Sequence, residues 1–331
     1  MGPWSASGAQ KITSIRDYHV KPHPLPLAVL AGSDPEPSVL PESGAGLHPL
    51  RGSKSIYLEV GGRPLIDVLI ERLRESGCFD PIYIAGPARE FGESRGPVKV
   101  IDTDGTFGDN MKAAVEQMVV ECPGQNLAIS TCDILPDVEE LHELMDDYYR
   151  HAPLDCWFPL ILTPERTQQL GASAWKPKYR IPPKPGAEPV SFLPGHLIVV
   201  APEAFRRWLI YHSFDLAYRT RNRPILLRLG TISSHLMAGL IWKDFKKLLR
   251  FQAPTLTYSV IYNGIMLGLG LRRGTISPEA MSDRLRPIYA TSQHRRRYPD
   301  RVARFPLVKA LSLAKDIDTE EEAREITGEL V

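Results

Sequence analysis

Short apolar runs that end in glycine or aspartate alternate with amphipathic segments through the first half of this chain. That alternation constrains the fold more than any other feature. The run Leu-Ala-Val-Leu-Ala-Gly at 27–32 reads as a first strand. At 64–76, Leu65, Val68, Leu69 and Leu73 fall at helical spacing, and Gly77 is placed to close that helix. Further strands are expected at 81–85, 98–101 and 126–131. Helices are expected at 110–120, where Met111, Ala114, Val115 and Met118 recur, and at 138–149. Such a βαβα order predicts a mostly parallel, mixed sheet with helices on both faces, an α/β fold of the three-layer α/β/α sandwich type. Ligands of such sheets sit at the carboxyl ends of the strands. Gly32, Gly86 and Asp133 all fall at such ends.

From residue 153 the pattern changes. A strand is expected at 156–162, an exposed Pro- and Lys-rich loop at 177–189, a strand at 195–201 and a helix opening at Pro202. Residues 203–290 show no strand signal, and Met237, Ile241, Phe245 and Leu248 recur at helical spacing. Residues 258–271 read as a buried helix. These signals divide the chain into a flexible tail (1–24), an α/β core (25–202), a helical insertion (203–297) and a C-terminal segment that returns to the core (298–331). In that last segment Thr319, followed by Glu322, forms the sequence pattern of a capping box.

A chain of 331 residues can bury a large core, and its formal net charge of +1 supplies no field that would select nucleic acid. Cys78, Cys122, Cys132 and Cys156 show neither zinc spacing nor a disulfide framework, which reads as a reduced, cytoplasmic protein. No signal-peptide core and no apolar run long enough to span a bilayer is present. Arg219, Arg221, Arg223, Arg228, Lys243, Lys246, Lys247 and Arg250 bias one region toward positive charge. Solvated helix faces are the ordinary reading of that bias. A peripheral membrane contact through 224–250 or an anionic substrate is the alternative, and a homo-oligomer is a separate expectation.

Several residue types point to chemistry. Backbone amides around Ala31, Gly32 and Ser33, at the end of an apolar strand, can cradle an anion, most often a phosphate. Lys54 is delivered back to the same edge and would complete a polyphosphate site. Asp133 ends the apolar run at 127–131, where a carboxylate is costly unless solvated, paired or bound to a cation. Mg2+ takes one or two carboxylates plus substrate phosphates. Asp316 and Asp318 are expected to alternate on a strand, facing the same way; either one or both share that ion, if the C-terminal segment returns to the sheet edge, or they form an acidic cluster favoured at a helix entry. Asn110 is expected either to contact a base or ribose or to act only as a helix N-cap. Lys176, Lys178 and Arg180, ahead of the strand that begins near His196, are candidates for an acceptor phosphate. The P-loop, HExxH and GxSxG patterns are absent.

The ordered set comprises Leu-Ala-Gly at 30–32, Lys54 with Val-Gly-Gly-Arg-Pro-Leu at 60–65, Thr-Cys-Asp-Ile-Leu-Pro at 131–136, and Asp-Ile-Asp-Thr-Glu-Glu-Glu at 316–322. On these pieces the chain resembles the molybdenum-cofactor guanylyltransferase-like (MobA-like) nucleotidyltransferases over residues 25–202 and 305–326. The resemblance implies a GT-A-like fold and Mg2+-dependent transfer of an NMP from an NTP to a small phosphorylated or hydroxyl acceptor, with pyrophosphate released. It implies Asp133, Asp316 and Asp318 as metal ligands and Lys54 with Asp133 as catalytic residues. Ala31, Gly32, Ser33, Arg51, Gly86 and Asn110 would line the nucleotide, and Lys178, Arg180 and His196 the acceptor. Here the glycines of the family's loop lie late, at Gly44, Gly46 and Gly52. A GT-A glycosyltransferase would show Asp-x-Asp where this chain has Asp133-Ile-Leu-Pro. A non-catalytic nucleotide- or sugar-phosphate-binding module is the reading from outside enzymology.

Overall fold

The computed structural model describes residues 23–33, 53–92, 94–95, 97–164, 179–219 and 225–329. The expected tail lies outside them except for residues 23 and 24, as does the whole loop between Ser33 and Ser53. In chain order the elements begin with β1 (Leu25–Leu30), α1 (Lys54–Tyr57), β2 (Glu59–Val60), β3 (Arg63–Pro64), α2 (Leu65–Glu75) and β4 (Phe79–Gly86). There follow α3 (Ala88–Phe91), β5 (Ser94–Arg95), β6 (Val98–Asp102), α4 (Phe107–Glu121), β7 (Leu127–Thr131) and α5 (Val138–His151). Then come β8 (Cys156–Trp157), β9 (Leu160–Leu162), β10 (Tyr179–Ile181), β11 (Val190–Pro194) and β12 (Leu197–Val200). Five helices come next: α6 (Arg207–Arg219), α7 (Ile225–Leu248), α8 (Leu256–Arg273), α9 (Pro278–Tyr289) and α10 (Ser292–Arg297). The chain closes with β13 (Ala303–Arg304), β14 (Leu307–Val308) and α11 (Glu320–Glu329).

The central sheet has the order β13-β8-β12-β7-β1-β4-β6-β5. β7, β1, β4 and β6 run parallel, whereas β12 is antiparallel to both β7 and β8. The expected α/β/α sandwich with a mostly parallel sheet is therefore the fold observed. Alternation along β1 builds the layers. Leu25, Leu27 and Val29 face α2 and α5, while Ala28 and Leu30 face α4. Both faces of β1 are buried, which is why its sequence is an unbroken apolar run. Local signals fix the helix starts. Thr106 caps α4 in a reciprocal box with Asp109, and Asp137 accepts from the amides of Glu139 and Glu140 to open α5.

β4 and β6 lie to one side of β1, and β7 then crosses to the other side. The connections diverge there, and in sheets of this kind the crevice that receives ligands lies at such a point, here the carboxyl ends of β1 and β7.

Four expectations are corrected. The strand at 156–162 is two strands in different sheets: β8 pairs with β12, and β9 joins the second sheet, β10-β11-β9-β14. The break falls at Phe158-Pro159, where proline cannot donate to a ladder. Part of the supposed loop at 177–189 is β10, paired with β11. Residues 202–204 form a turn, Phe205 makes an isolated antiparallel bridge with Ala290, and α6 opens only at Arg207. Finally, α8 is not buried. It buries Leu256, Val260 and Asn263, while Tyr258 and Ile265 are 71% and 56% exposed.

The helices are tied to the sheet by a polar anchor. Asp155, fully buried at the entry of β8, lies 2.8 Å from His294 Nε2 and 3.6 Å from Arg286 Nε. A buried carboxylate so placed is compensated by two cationic or hydrogen-bonding partners from α9 and α10.

Candidate active site

Thr131 ends β7 and Asp133 follows two residues later, at the crevice. Because β12 runs antiparallel beside β7, with Leu197 opposite Ser130, the residue before β12 is set against the residue after Ser130. Thr131 N donates to His196 O over 3.3 Å, and Thr131 Oγ1 lies 2.9 Å from His196 Nδ1. The His196 ring stands between two carboxylates. Nε2 is 2.8 Å from Asp316 Oδ1, and Nδ1 is 3.8 Å from Asp133 Oδ1.

The tail arrives by a chain of small contacts. β14 extends β9 in parallel, a 3-10 turn follows at Leu311–Leu313, and His196 N donates to Leu313 O over 2.9 Å. Residues 315–318 belong to no helix or strand, so the expected strand alternation of Asp316 and Asp318 is not what aims them. Ile317 does so. Its side chain is buried with Leu58, Leu65 and Leu135, and its amide donates to Asp133 O over 2.7 Å. Burying such a side chain stabilises the docked tail by about 2 kcal/mol. The two flanking aspartates are thereby fixed at the crevice. Thr319 and Glu322 form the expected capping box of α11, and Glu322 also accepts from the Asp318 amide over 2.6 Å.

Lys54 reaches the site from the opposite side. It opens α1, and its Nζ lies 3.1 Å from Asp318 Oδ1, with the lysine side chain 14% exposed. Burial raises the Asp318 carboxyl above its usual range, and the negative charges of Asp133 and Asp316 push the same way against the pull of Lys54. Burial also raises the Cys132 thiol, to about 12, helped by the charge of Asp133. The cluster is thus an acid-rich centre that its own lysine and histidine compensate only in part.

The β1 edge is shaped for close approach. A Cβ on Gly86 would stand 2.5 Å from Ala31 O and 2.6 Å from the Phe91 ring, and one on Gly32 would meet Asn110 Nδ2. Asn110 is not the helix cap, which is Thr106. Its buried side chain accepts from Thr103 Oγ1 and Gly105 N and packs under Gly32, so it supports the loop from below. Ser33 donates through both its amide and its hydroxyl to Asp104, which Arg89 also grips. Ala31 N donates to Ala85 O. Arg51 and Lys178 lie outside the described residues, as does Lys176. Arg180 sits on β10 in the second sheet, its guanidinium 3.5 Å from Pro189 O.

The structure therefore joins Lys54, Asp133, Asp316 and Asp318, and adds His196, which the sequence placed with the acceptor. Asp133, His196 and Asp316 each offer an atom within 4.8 Å of the others. Asp133 Oδ1 is buried without a hydrogen-bond donor among the described residues. Two carboxylates, Asp133 and Asp316, suit a hard divalent ion such as Mg2+, and the imidazole adds a donor that Mn2+ also accepts.

No protein-family model and no curated protein matches this sequence. Solved structures do. A hypothetical transferase from Thermus thermophilus is 18% identical, with a TM-score of 0.51 over 90% of this chain and 99% of its own. CMP:2-keto-3-deoxy-manno-octonic acid synthetase in complex with CTP is 10% identical, with a TM-score of 0.45 over 93% of this chain and 98% of its own. 4-Diphosphocytidyl-2C-methyl-D-erythritol synthase from Anaerococcus prevotii is 9% identical, with a TM-score of 0.33 over 60% of this chain and 78% of its own. At such identities the first likeness is one of fold.

Proposed function

We propose that this chain is a nucleotidyltransferase that moves an NMP from an NTP to a phosphorylated or hydroxyl acceptor and releases pyrophosphate. The carrying observation is convergence. Lys54, Asp133, His196, and Asp316 with Asp318 come from four distant chain segments to one crevice, where the parallel sheet reverses its strand order. A purely structural cluster has no need of three carboxylates in mutual repulsion.

Asp133 and Asp316 would hold Mg2+, with His196 beside them, and the ion would neutralise charge on the triphosphate and on departing pyrophosphate. Lys54 would place its ammonium against the α-phosphate once an incoming anion competes with Asp318. The amide of Gly32 would cradle a phosphate oxygen, joined by that of Ser33 once an incoming anion displaces Asp104 from it, with Asn110 supporting the loop from below. Gly86 keeps the β4 edge low enough for that loop to lie close. The acceptor oxygen would attack in line from the open side. Positioning and electrostatics would supply the rate, as is general when the protein forms no covalent bond.

The test is pyrophosphate release with Mg2+ and each of the four NTPs, run against a panel of sugar phosphates and polyol phosphates. One NTP–acceptor pair is expected to release pyrophosphate stoichiometrically with a new nucleotide-linked product. Silence across the panel, together with stabilisation by a nucleotide or sugar phosphate, would replace this reading with that of a binding module.

A further inference from the structure

The α7–α8 pair takes no part in the crevice, and its composition is unusual. Between Asp215 and Glu279 the chain carries ten lysines and arginines and a single acid, Asp244. No charged side chain occurs from Phe251 to Leu271. Against α6 these helices bury Leu236, Leu240, Leu256 and Val260 together with Leu209 and Leu216. Outward they present Trp242, Phe245, Leu248, Leu249 and Tyr258, each 46% to 71% exposed, and Phe251 is fully exposed.

The hairpin tip is built rather than loose. Asp244 is buried and accepts from Leu256 N at 3.1 Å, Thr257 N at 2.6 Å and Lys247 Nζ at 3.1 Å, which locks the end of α7 to the start of α8. Helix α7 then ends in a paired closure, with Gln252 N donating to Lys247 O and Phe251 N to Leu248 O. This is the termination that normally takes glycine at its left-handed position. Here that position is Phe251, at φ 54°. A bulky apolar residue is disfavoured there twice, by its backbone and by its contact with water.

Charge decides the occupant. The one acid is consumed inside the turn, so the rim presents Lys246, stacked 5.1 Å over the Trp242 ring, and the exposed Arg250. A second copy would bring like charge to like charge. An anionic lipid surface meets both features, taking apolar and aromatic side chains below its headgroups and lysine or arginine among them. Among the described residues no helix is long and apolar enough to cross a membrane, so the contact would lie on the surface.

We propose that the tip of the α7–α8 hairpin docks this protein on anionic membranes, with Phe251, Leu248 and Leu249 entering the interface and Lys246 and Arg250 held at the headgroups. The proposal stands independently of the nucleotidyl-transfer reading. It is tested by flotation of the full chain with vesicles of phosphatidylcholine alone and with vesicles containing about a third phosphatidylserine. The chain is expected to partition several-fold more onto the anionic vesicles. Phe251→Gly should lower that partition roughly tenfold while leaving the melting temperature unchanged or higher. Arg250→Gln should lower it about fivefold. Equal or absent binding to the two vesicle types, or undiminished binding by Phe251→Gly, overturns the proposal. So does a dimer in sedimentation velocity that Phe251→Gly dissociates, because the patch would then be covered by a second copy.

Discussion

Replacing Asp133 with asparagine separates what the acidic centre costs from what it does. In the unliganded protein Asp133 and Asp316 offer oxygens no more than 4.8 Å apart. Two unit charges about 5 Å apart repel by roughly 3 kcal/mol at an effective dielectric of about 20. Lys54 and His196 offset much of this, and about 1 kcal/mol of net repulsion is a fair remainder. Asp133→Asn keeps the shape, and the backbone carbonyl that binds Ile317 N is untouched. The variant should therefore melt about 2 °C above the parent without ligand. With Mg2+ and the cognate NTP at about a hundred times Kd, the parent should gain roughly 2.7 kcal/mol, or about 5 °C, and the variant little of that. Turnover should fall a hundred- to a thousandfold, by about 3–4 kcal/mol. Differential scanning fluorimetry with and without Mg2+-NTP, paired with pyrophosphate release, reads all three effects. A variant that melts lower without ligand and still responds to Mg2+-NTP would refute the reasoning, since Asp133 would then be a structural residue.

Two further outcomes are expected, one at the docked tail and one at a carboxylate away from the site. Ile317→Ala removes the buried anchor between Asp316 and Asp318. It should cost about 2–4 kcal/mol in urea unfolding and lower kcat/KM more than tenfold, with hydrogen exchange rising first in residues 313–322. Unchanged exchange there would show that another contact docks the tail. Glu121 accepts from Lys99, Gln117 and Tyr83, at 2.6, 2.6 and 2.9 Å, and lies pulled down to about 2, chiefly by Lys99. A carboxyl held below its unfolded value stabilises the fold above that value, near 4.5, and loses this effect as pH falls toward 2. The stability difference between parent and Glu121→Gln should be about 1 kcal/mol at neutral pH, discounted for a side chain on the surface, and should shrink across that acidic window. A difference that stays constant from neutral pH to below 3 would dissociate the pair from any role in folding.

Much of the crevice was legible because it is written at the ends of apolar runs. Gly32 and Asp133 each close a strand buried on both faces, and a run of that kind announces both its strand and its carboxyl edge. Asp316 and Asp318 reached the expected place for a different local reason. What aims them is a single isoleucine, and one buried residue leaves no periodic trace. His196 was assigned to the acceptor because its true neighbour is set by the antiparallel return of β12 beside β7, a pairing between residues far apart in the chain. The break at Phe158-Pro159 was hidden because both halves are apolar, and only the proline marks the change of sheet. On α7 and α8 the spacing announced helices but not which face packs. Ile241 and Phe245 stand outside while Leu236 and Leu240 stand within, a choice made by α6 rather than by the helix itself.

The docked tail also has a meaning for biosynthesis. A ribosome can finish the β1–β7 region and its crevice well before residues 313–318 have cleared the exit tunnel. Until then the emerging polypeptide presents Lys54 and Asp133 without their late partners. On the nucleotidyl-transfer reading proposed above, a nucleotide encountered during translation would find a half-made receptacle, completed in one late step as Ile317 drops into place.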